Sequence, residues 1–359
     1  MRVYVVVGGQ FGSEAKGHVS AQLAARELSR DRQVAAVRVA GPNAGHTAYD
    51  KDGRAFALRT IPAMAVVDDS VQLVLAAGSE LDPTVLLDEI NWLEKSGIHI
   101  SDRLWIDSQA TVLGPEHIQS ETDATMHERL GSTGKGVGAA RADRIMRKAL
   151  TWEQYLASGD AHSILESIDS MDTSHWLASR GQDTSVIIEG TQGFGLGLHA
   201  GYYPYCTSSD CRAIDFLAMA GIDPRDSKIT RCESVVTLRT FPIRVAGNSG
   251  PMHDETDWET LGAETGGHIK PERTTVTKKV RRVGRWDTEL AHRAILANGG
   301  PESCIVALTF LDYIDPVVYG ATEPMHLTEP AVDFIKDVGQ QLGRRVQLVT
   351  TGPETAVWL

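Results

Sequence analysis

Three glycine-containing segments combine a flexible backbone with side chains that could bind or transfer phosphate. The first, residues 8–17 (GGQFGSEAKG), lies between a β-branched run and an amphipathic segment. Backbone amides at the start of a helix, together with a lysine, form an anion site suited to phosphates. Because Ala15 precedes Lys16 and Gly17 follows it, the segment is not a Walker A sequence. The alternative is a glycine turn that packs a helix against a sheet.

The second segment, residues 41–47, contains Asn43 and His46 and follows another short apolar run. A lone histidine is more often structural, but one on a glycine turn at the carboxyl end of a strand could act as a general acid toward phosphoryl oxygens. The third segment, residues 131–138, has two hydroxyls, one lysine and four glycines, and a basic run continues through Arg141 to Arg147. It predicts a second phosphate site, with a flexible surface loop before a solvated helix as the alternative.

Short apolar runs alternate with amphipathic segments and so predict the elements that position these loops. Strands are predicted at residues 3–7, 34–39, 71–76, 104–107, 186–189, 235–238, 304–308 and 346–350, and helices at 16–29, 83–93, 213–220, 286–297 and 330–342. The pattern predicts an α/β fold with a mostly parallel central sheet flanked by helices, whose ligand sites lie at the carboxyl ends of the strands. The segment from about 246 to 278 is rich in Gly, Thr, Glu and Pro and predicts long functional loops.

Composition excludes several classes of protein. The chain is 42% hydrophobic and 23% charged, and none of its apolar runs approaches the roughly 20 residues of a membrane span. A formal net charge of −12 disfavours nucleic-acid binding. The first residues read as a strand and lack the features of a secretory signal, so we expect a cytoplasmic protein. The four cysteines show neither a disulfide framework nor zinc-like spacing.

The length of 359 residues exceeds the usual size of a single core, about 250 to 300 residues. Either one large domain with insertions or two closely packed domains would fit. We expect a single catalytic domain over residues 1–359, with the functional loops of residues 246–278 inserted into it.

In this order, the three segments resemble adenylosuccinate synthetases, whose first loop is a Gly-Asp-Glu-Gly-Lys-Gly turn and whose second contains Asn-Ala-Gly-His-Thr. The resemblance continues in EGTQG at 189–193, YPYCTSS at 203–209, RV at 244–245, TKKVRRVG at 277–284 and GPE at 352–354. It implies a P-loop NTPase-like fold. It also implies a ligase in which a triphosphate phosphorylates the six-oxygen of IMP and the amine of aspartate then displaces that phosphate.

The resemblance implies a role for each site residue. The triphosphate, ATP, dATP or GTP, would contact Gly12, Ser13, Glu14, Ala15, Lys16, Gly17, Gly45, His46, Thr47, Asp312, Thr351, Gly352 and Pro353. The purine monophosphate would contact Ser13, Asn43, Ser132, Thr133, Arg147, Gln192, Thr207 and Val245. Thr277, Lys279 and Arg281 would bind aspartate; His46, Ser13, Lys16 and Gln192 would be catalytic; Ser13 and Gly45 would ligate Mg²⁺. Arg147 would come from the neighbouring subunit of a homodimer.

Three positions depart from the family. Lys279 stands in place of an arginine and loses the planar bidentate fork of the guanidinium. Phe310 stands in place of the lysine whose stem covers the donor guanine, which favours ATP or dATP, although Asp312 could still accept from guanine. Ser13 replaces the aspartate that ligates Mg²⁺ and removes the purine N1 proton, and an unactivated serine is no base near neutral pH.

A phage branch of the family, the 2-aminoadenylosuccinate synthetases, has serine or a similarly small residue at this position and uses dGMP. The chain resembles that branch, since the smaller side chain of Ser13 makes room for the two-amino group of guanine. Two alternatives remain. One is an ordinary adenylosuccinate synthetase that uses IMP, and the other is a catalytically silent nucleotide-binding regulator.

Overall fold

The computed structural model describes residues 1–273 and 279–359; Thr277, one of the predicted aspartate ligands, lies outside them. The strands in these ranges are β1 Arg2–Gly8, β2 Gln33–Arg38, β3 His46–Tyr49, β4 Ala55–Leu58, β5 Gln72–Leu75, β6 Glu80–Leu81, β7 Leu104–Asp107, β8 Thr111–Val112, β9 Asp169–Met171, β10 Thr184–Glu189, β11 Arg231–Arg239, β12 Ile243–Arg244, β13 Glu255–Thr256, β14 Arg282–Gly284, β15 Cys304–Thr309, β16 Val346–Thr350 and β17 Ala356–Trp358. The α-helices are α1 Lys16–Leu28, α2 Pro83–Lys95, α3 Pro115–Asp123, α4 Met126–Leu130, α5 Val137–Ile145, α6 Trp152–Ser158, α7 Ser163–Glu166, α8 Thr173–Ala178, α9 Ala213–Met219, α10 Trp258–Glu264, α11 Thr288–Ala297 and α12 Glu329–Leu342.

One sheet of ten strands organises the molecule, in the order β17-β16-β15-β11-β1-β10-β2-β5-β7-β9. Neighbouring strands are parallel throughout except that β17 is antiparallel to β16. Helices cover both faces, so the predicted α/β class is confirmed. The predicted strands of this sheet and the helices between them are all present, with ends that differ by a few residues.

Strand β1 shows why its sequence is an uninterrupted apolar run. Val3, Val5 and Val7 enter the hydrophobic core on one face, with α9, α11 and α12. Tyr4 and Val6 enter the core on the other face, with α1 and α2. Because successive side chains of a strand alternate between faces, a strand buried on both faces needs apolar residues at every position.

The crevice for a ligand lies where connections leave the sheet in opposite directions. The loop after β1 leads to α1 on one face, whereas the chain after the adjacent β10 leads to α9 on the other face. The carboxyl ends of β1 and β10 therefore open into a cleft between these connections.

Residues 246–273 are more ordered than the predicted long loops. They include β13 and α10, and β12, β14 and β13 form a small antiparallel sheet. Trp258, Leu261 and Ile269 pack with residues of β12 and β14 in a separate small core. This core holds the segment beside the carboxyl end of β11.

No helix within the described ranges is both long enough and apolar enough to cross a membrane.

Candidate active site

In the loop between β1 and α1, backbone amides and a lysine bind the side-chain carboxylate of Glu14, a residue of the same loop. The buried Glu14 accepts hydrogen bonds from the backbone amides of Gln10 (3.1 Å) and Gly12 (2.7 Å). Its other oxygen accepts from Lys16 Nζ at 3.0 Å, and Lys16 also donates to the Gly12 carbonyl at 3.1 Å. The side chains of Glu14 and Lys16 are both fully buried. The amides and the lysine that the sequence predicts as an anion site therefore bind a carboxylate of the chain itself, and their binding of phosphate stays a prediction.

His46 lies in a buried cluster of three ionisable groups. It is the first residue of β3 and pairs with Leu58 of β4, so it begins a strand, three residues after the turn of Pro42 and Asn43, and does not sit on the glycine turn that the sequence predicts. Its Nδ1 lies 2.6 Å from Glu189 Oε1 and 2.6 Å from Arg38 Nη1. Arg38 Nη1 also donates to Glu189 Oε1 at 2.6 Å, and the Ala63 amide donates to Glu189 Oε2 at 2.9 Å.

The electrostatics of this cluster keep the imidazole neutral. Burial and the neighbouring Arg38 lower the pKa of His46 to about 3, against the opposing effect of Glu189. Burial acts to raise the pKa of Glu189, but Arg38 and His46 hold it below its ordinary value. Among the described residues, His46 Nε2 has no hydrogen-bond partner although it is buried. Buried polar atoms without a partner are rare, so this nitrogen is suited to meet an incoming group.

Ser13 connects the first loop to the predicted aspartate site. Arg281 Nη1 donates to Ser13 Oγ at 2.8 Å, and Arg239 Nη1 donates to the Ser13 carbonyl at 3.0 Å. The guanidinium of Arg239 lies on the ring of Phe310, 4.0 Å from its centroid. The Ser13 hydroxyl therefore accepts from a cation, and no residue of the described ranges places a base on it.

These contacts bear on the Mg²⁺ ligands implied by the family. Mg²⁺ prefers carboxylate and phosphate oxygens and usually keeps several waters. A neutral hydroxyl that already accepts from a guanidinium fits that role poorly, so the geometry argues against Ser13 as a ligand. Gly45 is exposed, and its carbonyl would fit. The described ranges contain no cluster of three His, Cys, Asp or Glu side chains that could hold a metal ion.

The glycine loop of residues 131–138, called the second loop below, leads into α5. The buried Glu121 of α3 accepts from the backbone amides of Gly136 (3.0 Å) and Gly138 (2.9 Å). Ser132 Oγ accepts from the Gly134 amide at 3.2 Å, and Thr133 is exposed. The amides at the start of α5 are thus bound to a carboxylate, and the groups left for a phosphate lie on the Ser132 side of the loop.

The arginine side chains of the basic run after this loop differ in their exposure to solvent. Arg141 Nε and Nη2 bind the two carboxylate oxygens of Glu80 at 2.6 and 3.1 Å, and this pair is almost fully buried. It fixes α5 to β6. Arg147, by contrast, is exposed, has a left-handed backbone (φ 62°) and donates to the Ile145 carbonyl at 3.2 Å.

The structure brings several predicted purine-site residues close to this second loop. A Cβ atom at Gly41, two residues before the half-buried Asn43, would lie 2.6 Å from Val137 of α5. A Cβ atom at Gly131 would lie 3.5 Å from Val245 Cγ2. The loop that carries Thr207 approaches as well, since Ser208 lies 3.9 Å from the corresponding point at Gly138.

Gln192 adjoins the first loop instead. Its backbone is left-handed (φ 59°), and a Cβ atom at Gly12 would lie 3.1 Å from its Cα. Gln192 therefore stands beside Ser13 and Lys16, at the carboxyl end of β10.

The predicted donor-base residues lie in a separate group after β15 and β16. Asp312 occupies a single 3₁₀ turn, Leu311–Tyr313, where burial raises the pKa of its carboxyl group. The buried Thr351 donates to the Ala321 carbonyl at 2.6 Å, so its hydroxyl is already engaged. Gly352 and Pro353 follow at the surface, beside Tyr319. Lys279 is exposed.

Sequence reasoning missed the charged residues that hold the site together: Arg38, Glu121, Arg239 and Glu272. One signal was available for the pair around His46. Arg38 and Glu189 close two buried strands and pair directly in the register of β2 and β10. A charge at the end of each of two buried strands indicates an ion pair at the carboxyl edge of the sheet.

Comparisons with known proteins identify the family of the chain. A family model described as adenylosuccinate synthetase matches residues 5–168 and 160–321. The adenylosuccinate synthetase of Thermococcus onnurineus is 34% identical over 362 residues, covering 99% of this chain and 97% of that protein. The enzyme of Methanococcus maripaludis (strain C7) is 37% identical over 358 residues, with 99% and 97% covered.

Two solved structures share the fold. A succinoaminodeoxyadenylate synthetase (PurZ) of cyanophage S-2L, bound to dGMP and to dATP as an energy donor, superimposes with a TM-score of 0.78 at 28% identity, covering 98% of this chain and 93% of that one. The fully ligated adenylosuccinate synthetase of Plasmodium falciparum superimposes with a TM-score of 0.81 at 19% identity, over 100% of both chains, which supports the fold alone. The chain therefore belongs to the adenylosuccinate synthetase family of C–N bond-forming ligases.

Proposed function

We propose that this member of the family joins L-aspartate to C6 of dGMP and forms 2-aminodeoxyadenylosuccinate, a precursor of diaminopurine deoxynucleotide. A nucleoside triphosphate would first phosphorylate the six-oxygen of the purine. The observation that carries the choice of purine is Ser13, which stands where the family has aspartate. The likeness to the cyanophage protein bound to dGMP supports the same choice.

The argument for guanine is one of space and charge. The two-amino group of guanine lies next to N1, so it would approach the side chain at position 13. Ser13 is small and half-buried, and its hydroxyl is turned to Arg281 at 2.8 Å. A carboxylate at this position would fill part of the space that the amino group needs.

The chain's own residues account for the phosphoryl transfer. Lys16 and the amides of the first loop would bind the donor phosphates, which requires them to exchange Glu14 for phosphate oxygens. Charge spreads over the oxygens of the transferring group, and His46 Nε2 would donate to one of them. In that state the ring would be protonated on both nitrogens: Nδ1 would donate to Glu189 Oε1, 2.6 Å away, and Nε2 to the phosphoryl oxygen, whose negative charge would favour the imidazolium. Mg²⁺, when bound with the donor, supplies charge neutralisation on the phosphates.

Displacement of the phosphate requires the aspartate amine to reach C6. Arg281 and Lys279 would hold its carboxylates, and Gln192 would orient the six-oxygen. Ser13 does not take the N1 proton in this proposal, because its hydroxyl faces a guanidinium and none of the residues that the structure describes activates it.

The donor is proposed to be ATP or dATP. Phe310 replaces the lysine stem that covers guanine in the family, and its ring packs on Arg239 and, edge-on, on Tyr313. Phenylalanine has neither the long stem nor the ammonium group that a lysine would offer to guanine, and its ring is already packed against these two side chains. The cyanophage protein, which is bound to dATP as an energy donor, points the same way.

The active unit is proposed to be a homodimer in which Arg147 reaches the monophosphate of the partner. Three exposed apolar side chains flank this arginine: Ile145 (72% exposed), Met146 (61%) and Leu150 (42%). Such a group of apolar side chains around one exposed arginine has the composition of an interface core.

An ordinary enzyme that uses IMP is the second candidate, because the curated relatives at 34–37% identity are adenylosuccinate synthetases. Position 13 separates the two candidates. The wild type should prefer dGMP over IMP, and Ser13→Asp should lower the ratio of kcat/KM for dGMP over IMP by roughly tenfold or more.

Ser13→Ala is the matched control, since it keeps the space and removes only the hydroxyl. It should keep the preference for dGMP, whatever it does to the overall rate. A wild type that prefers IMP, or a ratio that Ser13→Asp leaves unchanged, would show that position 13 does not select the purine.

A further inference from the structure

Glu272 and Arg281, which lie on either side of residues 274–278 in the sequence, are neighbours in the structure. The Arg281 amide donates to the Glu272 carbonyl at 2.8 Å, and Arg273 and Val280 form an antiparallel bridge. Residues 272–273 and 280–281 therefore pair, and this paired region, called the base of the aspartate segment below, carries Arg281.

The side chain of Glu272 ties this base to the interior. Its Oε1 accepts from Arg239 Nη2 at 2.5 Å and from the Tyr313 hydroxyl at 3.1 Å, and its Oε2 lies 3.5 Å from Arg239 Nη1. The Arg239 side chain is 1% exposed and that of Glu272 is 24% exposed. Burial acts to raise the pKa of Glu272, but Arg239 and Tyr313 hold it below its ordinary value. The carboxylate is thus charged and bound at neutral pH.

Arg239 is itself fixed to the first loop. Its backbone amide donates to Gln10 Oε1 at 3.0 Å, and its carbonyl accepts from Gln10 Nε2 at 3.1 Å. Its guanidinium donates to the Ser13 carbonyl at 3.0 Å. Glu272, Arg239 and the first loop therefore form one continuous chain of hydrogen bonds.

Both the backbone and the guanidinium group of Arg281 are bound in this arrangement. Its backbone is bound to Glu272, and its guanidinium is bound to Ser13 Oγ at 2.8 Å. A long side chain loses rotamer freedom when it binds a ligand, and prior anchoring removes much of that cost.

We propose that Glu272 is a positioning residue for aspartate: through Arg239 it fixes the base of the aspartate segment, so that Arg281 is presented to the substrate carboxylate at a set distance from the first loop. This inference rests on the proposed assignment of Arg281 to aspartate. It does not depend on which purine is used.

Glu272→Gln tests the proposal with little change in shape. The amide keeps one acceptor oxygen but removes the charge that binds Arg239. The KM for aspartate should rise about tenfold, while the KM values for the purine monophosphate and the triphosphate stay within about twofold and kcat at saturating aspartate is nearly unchanged.

Glu264→Gln is the matched control. Glu264 also binds an arginine, Arg285, at 2.5 Å in the same region, but both side chains are well exposed. An exposed pair contributes little, so all three KM values should stay at the wild-type level.

Tyr313→Phe covers the case in which Glu272→Gln unfolds. It removes only the hydroxyl that donates to Glu272, and it should raise the aspartate KM by roughly two- to threefold. The assays use whichever purine the wild type accepts, so a wrong choice of purine leaves them intact. An unchanged aspartate KM in the variants, or an equal rise in all three KM values, would overturn the positioning role.

Discussion

The two glycine loops of the site are built in the same way from different parts of the chain. In each loop, a buried glutamate carboxylate accepts two backbone amides. Glu14 belongs to the first loop itself, whereas Glu121 reaches the second loop from α3. The first carboxylate also binds Lys16, while the second has Ser132 Oγ at 3.5 Å as its further neighbour. The first loop therefore contains a buried ion pair, and the second is held by neutral donors.

Each loop also presses a glycine against a buried histidine. A Cβ atom at Gly17 would lie 2.7 Å from His46 Cβ, and one at Gly136 would lie 2.9 Å from His117 Cβ. His117 uses both ring nitrogens: Nδ1 accepts from the Gly114 amide at 2.9 Å, and Nε2 lies 3.4 Å from Asp143. His46 keeps Nε2 unbonded within the described ranges. The same construction thus leaves one ring nitrogen over at His46, where we propose chemistry, and uses both ring nitrogens at His117.

The largest expected difference concerns the two glutamates. Glu14→Gln leaves the buried Lys16 without its carboxylate and should lower the free energy of unfolding by about 3–5 kcal/mol. Glu121→Gln loses hydrogen bonds from neutral amides only and should lower it by about 1–3 kcal/mol. Denaturant titration of both variants measures the difference. Equal losses, or a larger loss for Glu121→Gln, would contradict the contrast between the loops.

The two histidines give the next effect. His46→Ala should lower turnover by roughly 10²-fold with the fold intact, because Nε2 is the atom proposed to donate to the phosphoryl group. His117→Ala should lower stability but leave turnover per folded molecule near the wild-type value. Near-normal turnover in His46→Ala would remove the histidine from the mechanism.

The pH dependence of unfolding checks that His46 is neutral. Its pKa is lowered from 6.5 to about 3 in the folded chain, so between these values only the unfolded chain binds the proton. The contribution of His46 is fully present above pH 6.5 and is lost as the pH falls, by about 2 kcal/mol at pH 5. The wild type should therefore lose more stability than His46→Ala between pH 8 and pH 5.

The smallest effect tests whether the region after the second loop serves the partner subunit. Arg147→Leu and Lys16→Gln should each be nearly inactive, yet mixing them should restore up to about a quarter of the wild-type activity, because each hybrid dimer has one intact site. Subunit exchange is verified separately with tagged chains. No recovery after proven exchange would place Arg147 outside the partner's site.

The sequence predicts the central sheet well because its strands are buried on both faces, as β1 shows. It predicts the region between residues 115 and 178 poorly. The helices there, α3 to α8, have four to nine residues and few buried positions, so their apolar periodicity is too short to detect. The sequence does not predict the β3–β4 hairpin, because its first residue, His46, belongs to the glycine-containing segment of residues 41–47.

The site residues also differ in how well the sequence predicts them. Glu14 and Lys16 are neighbours in sequence, so their loop can be recognised from one segment. Glu121, Arg239 and Glu272 act on residues that lie 15 or more positions away, and only the fold brings these partners together. The roles of Ser13 and Gln192 in substrate binding stay predictions until the kinetic tests are made.

The two edges of the ten-stranded sheet have a consequence for self-association. One edge is β17 and the other is β9, and each has only three residues. Trp358 of β17 is further covered by Arg26, whose guanidinium lies 3.8 Å from the ring centroid. Short edge strands offer few free amides and carbonyls to a strand of another molecule, so these edges discourage fibre-like growth of the sheet. In the proposed homodimer, copies of the chain would therefore meet through side-chain surfaces, such as the apolar group around Arg147.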